Sequence, residues 1–144
     1  MIIDCHGHYT TAPKALEDWR NRQIAGLEDP AVAPKAAELA IGDDELRASI
    51  ETNQLAKMRE RGSDLTIFSP RASFMAHHIG NFETSATWAA ICNELCHRVS
   101  RLFPDHFIGA AMLPQSPGVD PKTCIPELER CVEVLRAVAS EART

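Results

Sequence analysis

The sequence predicts an α/β fold of about three parallel strands, each followed by helical sequence. Three observations carry that expectation. Short apolar, β-branched runs alternate with longer helix-forming segments, an order that produces right-handed crossovers and a parallel sheet. The runs close on turn residues, at Gly7, at Ser69-Pro70 and at Pro114. The last of them, Phe107-Ile108-Gly109-Ala110-Ala111-Met112-Leu113, is uninterrupted by polar residues, as a strand buried on both faces requires. At 144 residues the chain can bury a core. It falls well short of the roughly 250 residues of a closed eight-stranded α/β barrel.

Ile2 to Cys5 is too short for a helix and is read as the first strand. Pro13 to Leu27 is rich in helix formers, and Asp29-Pro30 with Pro34 interrupts it. A second helical stretch starts at Asp43 or Asp44, either of which can cap it, and runs to Arg61 before Gly62, a residue suited to the left-handed position after a helix. Asp64-Leu65-Thr66-Ile67-Phe68 is the second strand, and a polar loop from Arg71 to Asn81 follows it. From Thr84 to Phe103, Trp88, Ile91, Cys92, Leu95, Val99 and Leu102 recur at helical spacing, giving one buried face with Asn93, His97 and Arg101 opposite. After the third strand, Asp120 caps a last helix with Pro121 in its first turn, and Cys124, Leu128, Cys131, Val132 and Leu135 mark its inner face. Three strands leave two open sheet edges, so self-association through those edges is expected.

The formal net charge of −5 and the scattered Lys and Arg exclude a nucleic-acid surface and a polybasic membrane patch. No run approaches transmembrane length. The opening Met1-Ile2-Ile3-Asp4-Cys5-His6 lacks the basic start and long apolar stretch of a secretory leader. Five Cys without a Cys-x-x-Cys pair fit neither a disulfide framework nor a thiolate zinc site, which points to a reducing cytoplasm.

The sharpest chemical feature is Asp4-Cys5-His6-Gly7-His8. Strand alternation places Asp4, His6 and His8 on one face, so two imidazoles converge at the C-terminal end of a parallel strand, where α/β folds hold ligands. Neutral imidazoles suit zinc or another divalent metal; the competing reading is a pair of turn residues bonded to backbone. The loop Ser69 to His78 leaves the second strand on the same rim. There Arg71 offers a donor fork matched to a carboxylate, and Ser73, His77 and His78 add hydrogen-bonding groups for a small anionic substrate. A solvated surface loop is the alternative. His97 and His106 read as structural, Cys92, Cys96, Cys124 and Cys131 as small buried hydrophobes, and Asp43-Asp44-Glu45 as a helix start rather than a metal site.

On Ile3-Asp4-Cys5-His6-Gly7-His8 the chain resembles the amidohydrolase superfamily, whose members bind metal in a (β/α)8 barrel beginning with a His-x-His strand. The stretches Asp64 to His78 and Phe107 to Gln115 resemble a narrower group, the 4-oxalomesaconate hydratases, related to the aminocarboxymuconate-semialdehyde decarboxylases. The likeness covers residues 1–133, and residues 134–144 read as a divergent helical tail. It implies a partial TIM-type barrel and a zinc-dependent lyase that adds water to an unsaturated polycarboxylate in bacterial breakdown of protocatechuate or gallate. It further implies His6 and His8 as two zinc ligands, Arg71 as a holder of substrate carboxylate, and His77 and His78 in the same pocket. The later strands of such a barrel, with their ligands and acid–base residues, are absent from this sequence, so no catalytic acid or base is assigned and a truncated barrel is expected. A related metal-dependent decarboxylase and a non-catalytic fragment or binding module are the alternatives.

Overall fold

Three parallel strands lie in the order β1-β2-β3, with β1 at Ile3–His8, β2 at Leu65–Ser69 and β3 at Phe107–Gly109. The computed structural model describes residues 1–71, 74 and 76–141, with the side chains of the final helix described to Glu133. Helices α1 (Lys14–Ala25), α2 (Asp43–Ile50) and α3 (Ala56–Arg61) connect β1 to β2, α4 (Phe82–Leu102) connects β2 to β3, and α5 (Ile125–Glu141) follows. The expected α/β order is present. No described helix is long and apolar enough to cross a membrane.

The helix expected from Asp43 to Arg61 is interrupted by one wider π turn at Glu51–Leu55. It ends as the sequence indicates, with Gly62 at φ 68°, a left-handed conformation that a Cβ disfavours. Its start differs from expectation. Gly42 stands at the N-cap without a side-chain cap, because the Asp43 carboxylate is engaged by Arg98 Nε (3.1 Å) and Nη2 (2.5 Å) on α4. Asn81 caps α4, its Oδ1 accepting the Thr84 N–H at 3.0 Å. Asp120 accepts the Lys122 N–H at 2.9 Å, so Pro121 opens a 3₁₀ turn, Pro121–Cys124, that leads into α5.

The sheet has a covered and an open face. Phe68 and Phe107 point toward the helices and pack with Leu46, Ile50, Leu55 and Val99. A second cluster joins Trp19 of α1 to Trp88, Ala89 and Cys92 of α4 and to Met112. On the other face Ile3, Ile67 and Ile108 are 50%, 38% and 49% exposed.

Two further expectations are corrected by tertiary partners. The third strand stops at Gly109: Ala110 still donates to Phe68 O at 2.8 Å, but no described strand lies beyond β3 to extend the ladder. Nor is it buried on both faces, since Ile108 is exposed. In α4, Asn93 is buried rather than opposite the apolar stripe. Its amide accepts the Met112 N–H at 2.7 Å and donates to Met112 O at 2.9 Å, completing the two backbone bonds a neighbouring strand would have made. On α5, Cys131 is buried as expected while Leu128 and Val132 are exposed. The face toward α4 is instead polar, with Glu127 accepting from Asn93 Nδ2 at 2.7 Å and from Arg130 Nε at 2.7 Å. Leu135 lies outside the described side chains.

Candidate metal centre

The first strand is not regular. Its pairing runs Ile3 to Leu65 and Asp4 to Thr66, then Gly7 to Phe68 and His8 to Ser69, so three steps on β1 oppose two on β2. That bulge breaks the expected alternation. Gly7 comes to lie on the covered side with Asp4, while His6 and His8, two residues apart beyond the bulge, project from the open face. Asp4 is therefore not a third member of the histidine pair. Its carboxylate accepts the His6 N–H at 3.0 Å and holds the bulge in place. Gly7 has a steric reason to be glycine: a Cβ there would stand 2.1 Å from Thr66 Cγ2 and 2.9 Å from Ile67 O.

His6 Nε2 and His8 Nε2 are 3.2 Å apart, with the ring planes at 83°. Two nitrogens sharing a tetrahedral zinc at about 2.0–2.1 Å stand roughly 3.3 Å apart. The pair thus has the spacing that one small divalent cation requires. His8 is held from behind. Its Nδ1 lies 3.1 Å from Pro70 O and 2.7 Å from Ser69 Oγ, and the Ser69 hydroxyl donates to Gly7 O at 3.0 Å. With the proton on Nδ1 donated to those oxygens, the lone pair is left on Nε2, where it faces His6. Among the described residues no third His, Cys, Asp or Glu joins them.

The loop after β2 is not brought to the histidines in the expected way. Arg71 is exposed and its guanidinium sits over the Phe74 ring at 4.7 Å, which turns it toward α1 and α4. There it borders a cavity of about 50 Å³ lined also by Tyr9, Phe74, Trp88, Cys92 and Met112. At the edge of β1, His6 and His8 also border a cleft of about 160 Å³ on the covered side, lined by Lys57, Met58, Thr66, Phe68 and Phe107. Ser73 lies outside the described residues, and His78 is exposed. His77 is half-buried with Nδ1 3.2 Å from Ser85 Oγ, and that oxygen also accepts the Gln115 N–H at 3.1 Å. Burial holds the His77 imidazole below its ordinary range, assisted by Arg20 and His78. Around the cavity the thiols are inert, since burial pushes Cys92 up to about 12 and Cys96 well above its usual value.

Sequence reasoning missed Arg20. It is almost fully buried, stacks on Trp88 at 5.0 Å and donates to Gln23 Oε1, while its Nε and Nη2 have no partner among the described residues. Amid the charged run Glu17-Asp18-Trp19-Arg20-Asn21-Arg22 nothing in the pattern marks it as interior.

The sequence profile of the amidohydrolase family matches residues 3–141. The chain belongs to the amidohydrolase family. It is 54% identical over 135 residues to the 2-keto-4-carboxy-3-hexenedioate hydratase of Sphingobium sp. (strain NBRC 103272 / SYK-6), a match that takes in 94% of this chain and 39% of that relative. The crystal structure of 4-oxalomesaconate hydratase, LigJ, from Rhodopseudomonas palustris is similar with a TM-score of 0.89 and 76% identity, over 94% of this chain and 40% of LigJ. The chain spans about two fifths of the length of these amidohydrolases. Its three strands are part of a TIM-type barrel, and the open face that carries His6 and His8 is the side a closed barrel turns inward.

Proposed function

We propose that this chain supplies the metal-holding first strand of a hydratase-type amidohydrolase barrel acting on a small unsaturated polycarboxylate, in the cytoplasmic breakdown of aromatic acids. The observation that carries the proposal is the convergence of His6 Nε2 and His8 Nε2 at 3.2 Å on the open sheet face. The 76% identity to a solved 4-oxalomesaconate hydratase supports the choice of reaction.

In this reading His6 and His8 hold zinc or a similar divalent cation. Such an ion, when bound, supplies Lewis-acid polarisation of a substrate oxygen. The chain's own contribution is positional. Pro70 O and Ser69 Oγ fix the His8 ring and its tautomer, and Asp4 fixes the bulge that brings His6 beside it. Arg71, turned by its stacking on Phe74 toward the cavity beside Tyr9 and Pro70, offers two parallel N–H donors to a carboxylate of a substrate that reaches from the histidine pair into that cavity. The acid and base of a water addition come from outside the residues described.

The test is a chimera in which this chain replaces the corresponding segment of the Rhodopseudomonas enzyme, assayed for hydration of 4-oxalomesaconate. The chimera is expected to be active. His6→Ala or His8→Ala is expected to cut kcat at least about 100-fold, on the scale at which loss of metal-site support reduces activity. Arg71→Ala is expected to act mainly on KM. A folded, zinc-loaded chimera without hydratase activity would overturn the proposal.

A further inference from the structure

Arg20 is a buried charge that the histidine pair does not use. Its guanidinium lies inside the layer between α1 and α4, and burial holds it below the ordinary arginine range. Among the described residues its Nη1 donates to Gln23 Oε1, while Nε and Nη2 have no partner. An ion kept from water with two donors unpaired weakens the fold. What Arg20 does make is a stack on the Trp88 ring at 5.0 Å. Trp19, the residue before it, lies parallel to the same indole, with centroids 6.1 Å apart and planes at 8°. Trp88 is buried, so α1 fixes its indole with two consecutive side chains.

The indole passes that constraint outward. Trp88 Nε1 donates to Phe74 O at 2.8 Å, the Phe74 N–H closes a turn on Arg71 O at 3.0 Å, and the Arg71 guanidinium lies over the Phe74 ring at 4.7 Å. The turn that carries Arg71 is thereby tied to the packed layer between α1 and α4. Trp88 and Arg71 also line the same cavity of about 50 Å³, so the group that holds the turn borders the space the Arg71 fork addresses.

We infer that Trp88, backed by Arg20, is a positioning residue: its indole N–H holds the Phe74 carbonyl and through that turn sets where the Arg71 fork stands for a substrate carboxylate. The inference rests on the proposed role of Arg71. A loop arginine left free loses entropy each time it binds, and tying its turn in advance removes part of that cost. A cation over the indole face draws electron density from the ring and strengthens the N–H as a donor, which gives the unpaired guanidinium a use.

The test is made in the chimera with the Rhodopseudomonas enzyme, hydrating 4-oxalomesaconate. Trp88→Phe keeps a ring in the core and removes the N–H. Its KM is expected to rise about tenfold, the scale of one lost hydrogen bond, with kcat within about twofold of the parent. In an Arg71→Ala background the same change should add nothing to KM, because both act through one fork. Arg20→Met keeps an unbranched buried side chain and removes the charge. It is expected to raise KM about threefold while the melting temperature holds or rises, a combination that a purely structural residue does not give. An unchanged KM in folded Trp88→Phe, or a rise that persists on top of Arg71→Ala, would overturn the inference and leave Arg71 as the carboxylate holder. An unchanged KM in Arg71→Ala would overturn the role of Arg71 and the inference with it. Where Trp88→Phe does not fold, Arg20→Met decides, and an unchanged KM there overturns the inference.

Discussion

The two faces of the sheet are made from neighbouring residues of the same strands and have opposite fates. Phe68 and Phe107 point to the helices and are essentially solvent-free, whereas Ile67 and Ile108, one residue away along β2 and β3, stand 38% and 49% exposed. Both kinds of side chain are strongly apolar. What differs is the supply of partners: α2, α3 and α4 all contribute to the covered face, while nothing among the described residues packs on the open one. The covered face accounts for the cohesion of the chain, and the open face carries the histidine pair.

That contrast is broken most directly by paired truncations. Phe68→Ala removes a ring from the centre of the core and is expected to cost about 3–5 kcal/mol, whereas Ile67→Ala is expected to cost under about 1 kcal/mol; urea denaturation of the two variants checks the difference. Equal losses would mean that the open face is covered in solution. Next in size is Asn93→Ala, which leaves the Met112 N–H and C=O without partners in a buried place and is expected to cost about 1–3 kcal/mol. Hydrogen exchange should then quicken at the Met112 amide before it does so in β2. A smaller effect is expected of Gly62→Ala. A Cβ there meets nothing within 4 Å, so the cost is that of φ 68° alone, about 1 kcal/mol by thermal melting.

The mildest perturbation is pH. Burial holds His77 and His97 below the ordinary histidine range. In the unfolded chain both take up protons near pH 6.5, while in the fold they resist doing so. The unfolded state therefore binds more protons, so stability is full above about pH 6.5 and falls as the pH drops below it. Melting curves between pH 7.5 and pH 5.5 check the sign, and His97→Gln should flatten part of the slope, as should His77→Gln.

Much of this was legible from residues whose chemistry is local. Ser69-Pro70 bounded the second strand, while β1 runs on through Gly7 to His8 and β3 stops at Gly109, short of Pro114; Trp88 to Leu102 marked α4 by its spacing, and Gly62 marked the end of α3. The histidine pair could be read because two residues apart on a strand is a short-range relation. The parts that were not legible are set by partners distant in sequence. Asp43 looks like a cap until Arg98, 55 residues away, takes its carboxylate. Asn93 looks solvated until Met112 arrives beside it. The length of β3 depends on a strand that would have to lie next to it. The bulge is of the same kind, since Asp4 and His6 alternate properly in the sequence and only the β1–β2 register reveals the extra residue.

The crowding at Gly7 has an evolutionary consequence. Thr66 could change to a smaller residue and clear its own methyl group, but Ile67 O belongs to the backbone and cannot be mutated away. No compensating substitution elsewhere therefore frees this position to vary. Descendants of this chain can lose either histidine by a single change and keep the strand, yet they cannot exchange the residue between them without shifting β1 against β2, so the spacer should outlast the histidines it separates.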